Sequence, residues 1–152
     1  MTEDILARFG IYGGTIAVAF IAGMFPVASI ELFLVGISVA ITPSFPTLFV
    51  LCLLAAASHQ VAKTICYYAG EAALERGRIG KKLQEWRPRI EKWNKAPYLM
   101  MTLGATVGLP PLYLLAFIAE PVMKMRFIPF TLIVFIGRLG RFIVLAGIPL
   151  VL

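Results

Sequence analysis

Charged residues are scarce in this sequence, and long stretches contain none at all. Only 14% of the 152 residues are Asp, Glu, Lys or Arg, against about 25% in an average soluble domain. Residues 9–30 and 96–119 carry no charge, and residues 32–62 carry none besides the titratable His59. Because about 20 apolar residues cross the hydrocarbon core of a bilayer, this pattern predicts an all-α polytopic membrane protein.

Cysteine and histidine are too few to build a metal, haem or iron–sulfur site. Cys52 and Cys66 lie in apolar segments without a C-x-x-C motif, and we interpret them as small buried residues. No second histidine accompanies His59. We therefore predict no cofactor and no metal. Since no nucleophile–base set is present either, we predict that the chain is not an enzyme.

The amino terminus lacks the features of a secretory signal. Residues 1–8, MTEDILAR, contain two acids and one base, so no positive region precedes the first apolar segment. We therefore expect that segment to remain in the mature protein.

Positive charge is concentrated in one central segment, residues 71–97. It contains eight Lys or Arg and four Glu, which is +4 of the net charge of +6. The excess of Lys and Arg in cytoplasmic loops explains so short a segment better than binding to nucleic acid does. Apolar residues at helical spacing predict an amphipathic helix there, either in the headgroup region or docked on the membrane helices: Leu83, Trp86, Ile90 and Trp93.

This loop divides a single membrane domain, residues 1–152, into two halves that share one plan. Each half has an apolar arm, a proline break, a shorter arm carrying a glutamate, and a long apolar helix. In repeat 1 (about 9–70) the two arms and the helix fall at about 9–24, 30–41 and 47–70. In repeat 2 (about 97–152) the two arms fall at 97–108 and 112–122, and the long helix follows Pro129.

The arms are too short to cross a bilayer. About twelve residues of helix reach only about 18 Å, whereas the hydrocarbon core is about 30 Å thick. We therefore predict two re-entrant hairpins with tips at Pro26 and at Pro110 and Pro111. The loop charges place the first opening outside and the second inside, an inverted repeat typical of transporters. One alternative stays open, in which residues 9–29 form a full span with an internal amino terminus.

Three stretches resemble the DedA/VTT (SNARE-associated) family of membrane proteins, nearest to its YqaA-like members. The family's early proline-then-glutamate hairpin is similar to FPVASIELFLVG at 25–36. Its helix ending in Tyr-x-x-Gly resembles residues 55–77, and its second hairpin with a Gly-Arg helix resembles residues 108–142. The resemblance implies two re-entrant hairpins facing each other from opposite leaflets. It also implies movement of phospholipids or a polyprenyl phosphate, with proton coupling proposed for bacterial members.

Ionisable side chains inside apolar segments are the candidate site, because such residues are costly in a membrane and usually functional. Arg138 and Arg141 stand at i and i+3 on one helix face and can bind phosphate bidentately. Glu31 and Glu120 are predicted to supply charge compensation or proton coupling. The alternatives are a structural ion pair between these acids and arginines, or acids placed at an interface or a helix start.

A second polar stripe lies on the first long helix, where His59, Lys63 and Tyr67 follow one another at intervals of four. Lys63 occupies the position that Arg138 has in the other repeat, and we predict a role for Lys63 and Tyr67 in substrate binding or coupling. In the alternative, Lys63 extends to the cytoplasmic interface, and His59 is a packing residue.

Taken together, the sequence predicts an inner-membrane transporter or flippase for a phosphate-bearing lipid. A channel or carrier for a small ion or solute is the first alternative, and a non-transporting membrane scaffold is the second. Two G-x-x-x-G pairs, Gly10/Gly14 and Gly104/Gly108, fit close packing within each hairpin or a homo-oligomer.

Overall fold

The computed structural model describes residues 2–25, 29–74, 76–78, 81–82, 85, 88, 96–109, 111–121 and 123–152. Within these residues the chain forms six main helices and no strand, which confirms the all-α prediction for the described part. The helices are α1 (Thr2–Met24), α2 (Ile30–Ile41), α3 (Phe45–Leu74), α4 (Pro97–Thr106), α5 (Leu112–Ile118) and α6 (Phe127–Val151).

Two of these helices are long and apolar enough to cross a membrane. Residues Phe45–Ala73 of α3 and the whole of α6 meet this criterion by length and composition. At about 1.5 Å per residue, each is longer than the roughly 30 Å hydrocarbon core. The remaining helices differ in length, and α4 and α5 have only 10 and 7 residues.

Residues Met1–Ala62 and Arg138–Leu152 form one compact unit, which contains the α1–α2 hairpin. The α1 backbone approaches α3 closely at Gly23, where a Cβ atom would lie 2.5 Å from the Cβ of Ala62. The Ser58 hydroxyl on α3 donates to the Ile16 carbonyl on α1 at 2.7 Å. Since these contacts advance in the same direction along both helices, α1 and this part of α3 run parallel.

Residues Lys63–Gly137 form the second compact unit, which contains the α4–α5 hairpin. Here α5 lies directly against α3, because a Cβ atom at Gly70 would overlap the carbonyl group of Phe117. The backbone of α6 at Gly137 lies against Ala105, near the end of α4. Apolar side chains from α4, α5 and the start of α6 fill the core of this unit around Tyr67.

Several predicted boundaries differ from the observed ones, and α6 begins at Phe127 rather than after Pro129. Helix α1 begins at Thr2 rather than near residue 9. Helix α3 runs to Leu74, past the predicted start of the loop at residue 71, since Glu, Ala and Leu are good helix formers. The arm predicted at 112–122 ends at Ile118, because the residue before Pro121 disfavours the helical conformation. Glu120 therefore lies in a turn after α5 rather than in the helix.

Candidate functional site

Glu31 and two arginines form an ion cluster in the first unit. The Nη1 of Arg138 donates to the Oε1 of Glu31 at 2.7 Å, and the Nε of Arg141 donates to the same oxygen at 3.1 Å. The side chains of Arg138, Glu31 and Arg141 are 11%, 20% and 25% exposed. Both arginines thus project from one face of α6 toward a single carboxylate oxygen.

Ser29 holds the cluster's carboxylate at the start of α2. It is the N-cap of the helix, and its Oγ accepts a hydrogen bond from the Leu32 amide at 3.3 Å. The same hydroxyl donates to the Oε2 of Glu31 at 3.3 Å. Glu31 lies in the first helical turn, where a negative charge also interacts favourably with the helix dipole. The capping role considered for Glu31 therefore belongs to Ser29, which leaves the Oε1 atom for the arginines.

A buried hydroxyl fixes the direction of α2 relative to α6. The Ser38 Oγ donates to the carbonyl of Ala146 at 2.6 Å and is fully buried. Glu31 is paired with Arg138 and, further along both helices, Ser38 is paired with Ala146. The two helices therefore run parallel in this unit.

The end of α1 and the start of α2 both lie level with the middle of the long helices. On one side of it, Gly23 contacts α3 at His59 and Ala62, close to the centre of the 30-residue helix. On the other side, Glu31 contacts α6 at Arg138 and Arg141, close to the centre of that 25-residue helix. The first hairpin thus reaches only half-way along each of its long neighbours.

The cluster gathers every formal charge of a long apolar part of the chain. In residues 9–62 and 138–152, Glu31, Arg138 and Arg141 are the only residues that carry a charge at pH 7 with histidine neutral. The formal charges of Glu31, Arg138 and Arg141 therefore sum to +1. A monovalent anion would neutralise it.

Tyr67, for which the sequence predicts a role in substrate binding or coupling, makes a structural hydrogen bond in the second unit. The side chain is buried, and its hydroxyl donates to the carbonyl of Met125 at 2.7 Å. Its ring packs on Phe127 and Phe130, with ring centroids 5.6 and 4.9 Å away. Tyr67 thus fastens the segment before α6 to α3.

The remaining predicted residues fall in different places. Glu120 is half-buried and lines an open pocket of the second unit together with Tyr67. Lys63 is buried, with 2% of its surface exposed. Pro111 is the N-cap of α5. The predicted hairpin-tip prolines Pro26 and Pro110 lie outside the described residues. So does the predicted apolar stripe of the central loop: Leu83, Trp86, Ile90 and Trp93.

Sequence reasoning missed two hydroxyl residues that build the site. Ser29 could have been found, since a serine immediately before an apolar helical run is a typical N-cap. Ser38 carries no comparable signal, because its partner Ala146 is 108 residues away in the sequence.

No protein-family model, no curated protein and no solved structure matches this chain. The resemblance to the DedA/VTT family therefore stays a prediction.

Proposed function

We propose that the chain is a polytopic membrane protein that moves a phosphate-bearing lipid between leaflets. The observation that carries this proposal is the Glu31–Arg138–Arg141 cluster, half-way along a helix long enough to span the bilayer. An arginine near the centre of a spanning helix costs about 2.5–3.5 kcal/mol on an insertion scale. A structural ion pair with one carboxylate requires only one arginine. The second arginine therefore favours a binding role for the cluster.

The chemistry of the cluster fits a phosphate. Guanidinium groups bind phosphate oxygens bidentately and remain charged inside a protein. With its net charge of +1, the cluster would accept one negative charge without a further counter-ion. Glu31 would compete with the ligand for the arginines, so that release of the carboxylate accompanies binding and its return accompanies dissociation. Glu31 is therefore also our candidate for any proton coupling.

The helix directions support a re-entrant first hairpin. We place the basic loop 71–97 in the cytoplasm, so that α3 runs inward across the membrane. Because α1 is parallel to this helix, it would also run inward, from an external amino terminus to an end at half-depth. The alternative, in which residues 9–29 cross outward from an internal terminus, would make α1 antiparallel to α3. The observed contacts at Gly23 and Ser58 are parallel.

The second hairpin supports an inverted repeat. Its first arm, α4, ends beside Gly137, and its second arm, α5, ends beside Gly70 near the carboxyl end of α3. We propose that it enters from the cytoplasmic side, whereas the first hairpin enters from outside. Inverted repeats with interrupted helices are typical of transporters, and the DedA/VTT resemblance points to lipids as the cargo.

Lipid movement by purified protein in liposomes tests the proposal. A labelled phospholipid or polyprenyl phosphate in the inner leaflet should become accessible to an external quencher faster than in protein-free vesicles. The variant Arg138→Gln/Arg141→Gln should lower the rate to that of protein-free vesicles. The variant Arg78→Gln removes an exposed cation of the central loop and should keep the wild-type rate. Gel filtration and circular dichroism show which variants remain folded.

The possible results separate the three functions. Wild-type rates equal to those of empty vesicles, for several phospholipids and a polyprenyl phosphate, would contradict lipid transport. Uptake of ions or solutes without lipid movement would indicate a channel or carrier instead. Neither activity, together with full complementation by the double arginine variant in cells, would indicate a scaffold.

A further inference from the structure

A pocket in the second unit is lined by charges of both signs. It has a volume of about 510 Å³, opens to the surface, and is lined by Tyr67, Glu120, Pro121, Lys124, Met125 and Arg126. Lys124 and Arg126 are exposed, whereas Glu120 is half-buried. None of these charges takes part in an ion pair with a described residue. Like the Glu31 cluster, the pocket combines one carboxylate with two cations and has a net charge of +1.

The backbone that carries these charges is held in a defined turn. The amides of Met123, Lys124 and Met125 donate to carbonyls at or just after the end of α5, at 2.9–3.1 Å. Lys124 has a φ of 51°, in the left-handed region that is uncommon for residues with a side chain. The buried hydroxyl of Tyr67 then fixes the Met125 carbonyl at 2.7 Å. Lys124 and Arg126 thus lie on a turn that is held by backbone and side-chain hydrogen bonds.

In the membrane topology proposed above, on which this inference rests, the pocket lies at the level of lipid headgroups. Arg126 immediately precedes α6, which is one of the two helices long enough to span a bilayer. Basic residues next to the end of a spanning helix attract anionic lipids. A lysine or arginine can donate several hydrogen bonds to a phosphate, and a carboxylate accepts hydrogen bonds from hydroxyl groups.

We propose that this pocket binds the headgroup of an anionic phosphodiester lipid that carries a hydroxylated substituent, such as a glycerol headgroup. Lys124 and Arg126 hold the phosphate, and Glu120 accepts hydrogen bonds from the hydroxyl groups. A phosphodiester with one negative charge neutralises the pocket. A phosphomonoester fits less well, because its second negative charge faces Glu120 and it has no hydroxyl donor for the carboxylate.

Native mass spectrometry of the detergent-solubilised full chain tests the site, with phosphatidylglycerol, phosphatidic acid and phosphatidylcholine supplied in equal amounts. Wild type should retain phosphatidylglycerol in preference to the other two. Lys124→Gln/Arg126→Gln should lower retention of phosphatidylglycerol roughly tenfold, because each cation near anionic lipid contributes measurably to the attraction. The matched control is Arg76→Gln/Arg78→Gln, which removes the same charge from exposed positions outside the pocket and should leave retention unchanged.

Two further measurements separate the roles of the pocket. Glu120→Gln should narrow the preference for phosphatidylglycerol over phosphatidic acid, because it removes the charge that disfavours the phosphomonoester. Competition with inorganic phosphate distinguishes a lipid site from a site for free phosphate: displacement of the lipid at millimolar phosphate would indicate the free ion. Equal losses in the pocket variant and in the control variant would overturn the proposal, as would unchanged retention in Lys124→Gln/Arg126→Gln. Because the readout is binding, it stays informative even if the liposome assay shows no lipid movement.

Discussion

Replacing Glu31 by glutamine removes the negative partner of two largely buried arginines with one isosteric change. Breaking a fully buried ion pair in this way costs about 3–5 kcal/mol, because a charge is left uncompensated. Here the side chains of Arg138, Glu31 and Arg141 are 11%, 20% and 25% exposed, so solvent screens part of the interaction. We therefore expect Glu31→Gln to lower the free energy of unfolding by about 2–3 kcal/mol.

The geometry also predicts an order among the variants of the cluster. Glu31→Gln removes the carboxylate that both arginines contact, whereas Arg138→Gln leaves Arg141 paired with it. Arg138→Gln should therefore destabilise less than Glu31→Gln does. Arg141→Gln should have the smallest effect, since its bond is longer, at 3.1 Å against 2.7 Å, and its side chain is the most exposed.

A double-mutant cycle measures the interaction directly. Equilibrium unfolding in mixed micelles would be followed for wild type, Glu31→Gln, Arg138→Gln and the double variant. The double variant should be more stable than the sum of the single losses predicts, by about 1–2 kcal/mol, within the range seen for residues in contact. If the two losses simply add, or if Arg138→Gln destabilises more than Glu31→Gln, the charge reasoning for this cluster is wrong.

Further substitutions test other parts of the structure. Gly70→Ala should destabilise the protein by about 1–3 kcal/mol, because its methyl group would overlap the α5 backbone. Gly140→Ala meets open space and should stabilise α6 by up to about 1 kcal/mol in the same unfolding assay. Tyr67→Phe loses its buried hydrogen bond and should cost about 1 kcal/mol, whereas Tyr68→Phe, which is half exposed, should change stability little. A single cysteine at Arg78, in a background without the native cysteines, should react with an impermeant maleimide only after permeabilisation of cells; labelling of intact cells would place the basic loop outside.

Local signals in the sequence were sufficient for several elements. Prolines on both sides of an apolar stretch, Pro26 before it and Pro43 after it, predicted a helix at about 30–41, and the structure has α2 at Ile30–Ile41. The i, i+3 spacing predicted that Arg138 and Arg141 share a face, and both contact one oxygen atom of Glu31. These features depend on neighbouring residues, whose geometry in a helix is fixed.

Features that depend on distant residues were not accessible in the same way. The sequence left open whether Glu31 or Glu120 pairs with the arginines, because each half has one acid in its shorter arm. Gly70 lies near the end of α3, as the helix pattern predicts, but the close approach of the α5 backbone there could not be predicted. Both outcomes are decided by packing between segments that are far apart in the chain.

During synthesis of the chain, Glu31 is made well before the arginines that it contacts in the folded protein. Its partner Arg138 lies 107 residues later, so at synthesis rates of about 5–20 residues per second the two are separated by roughly 5–20 s. During that interval α2 has neither its counter-charge nor the carbonyl that Ser38 finally contacts. In the proposed membrane topology, the first hairpin would therefore remain near the translocon until α6 emerges, and its insertion would be completed only then.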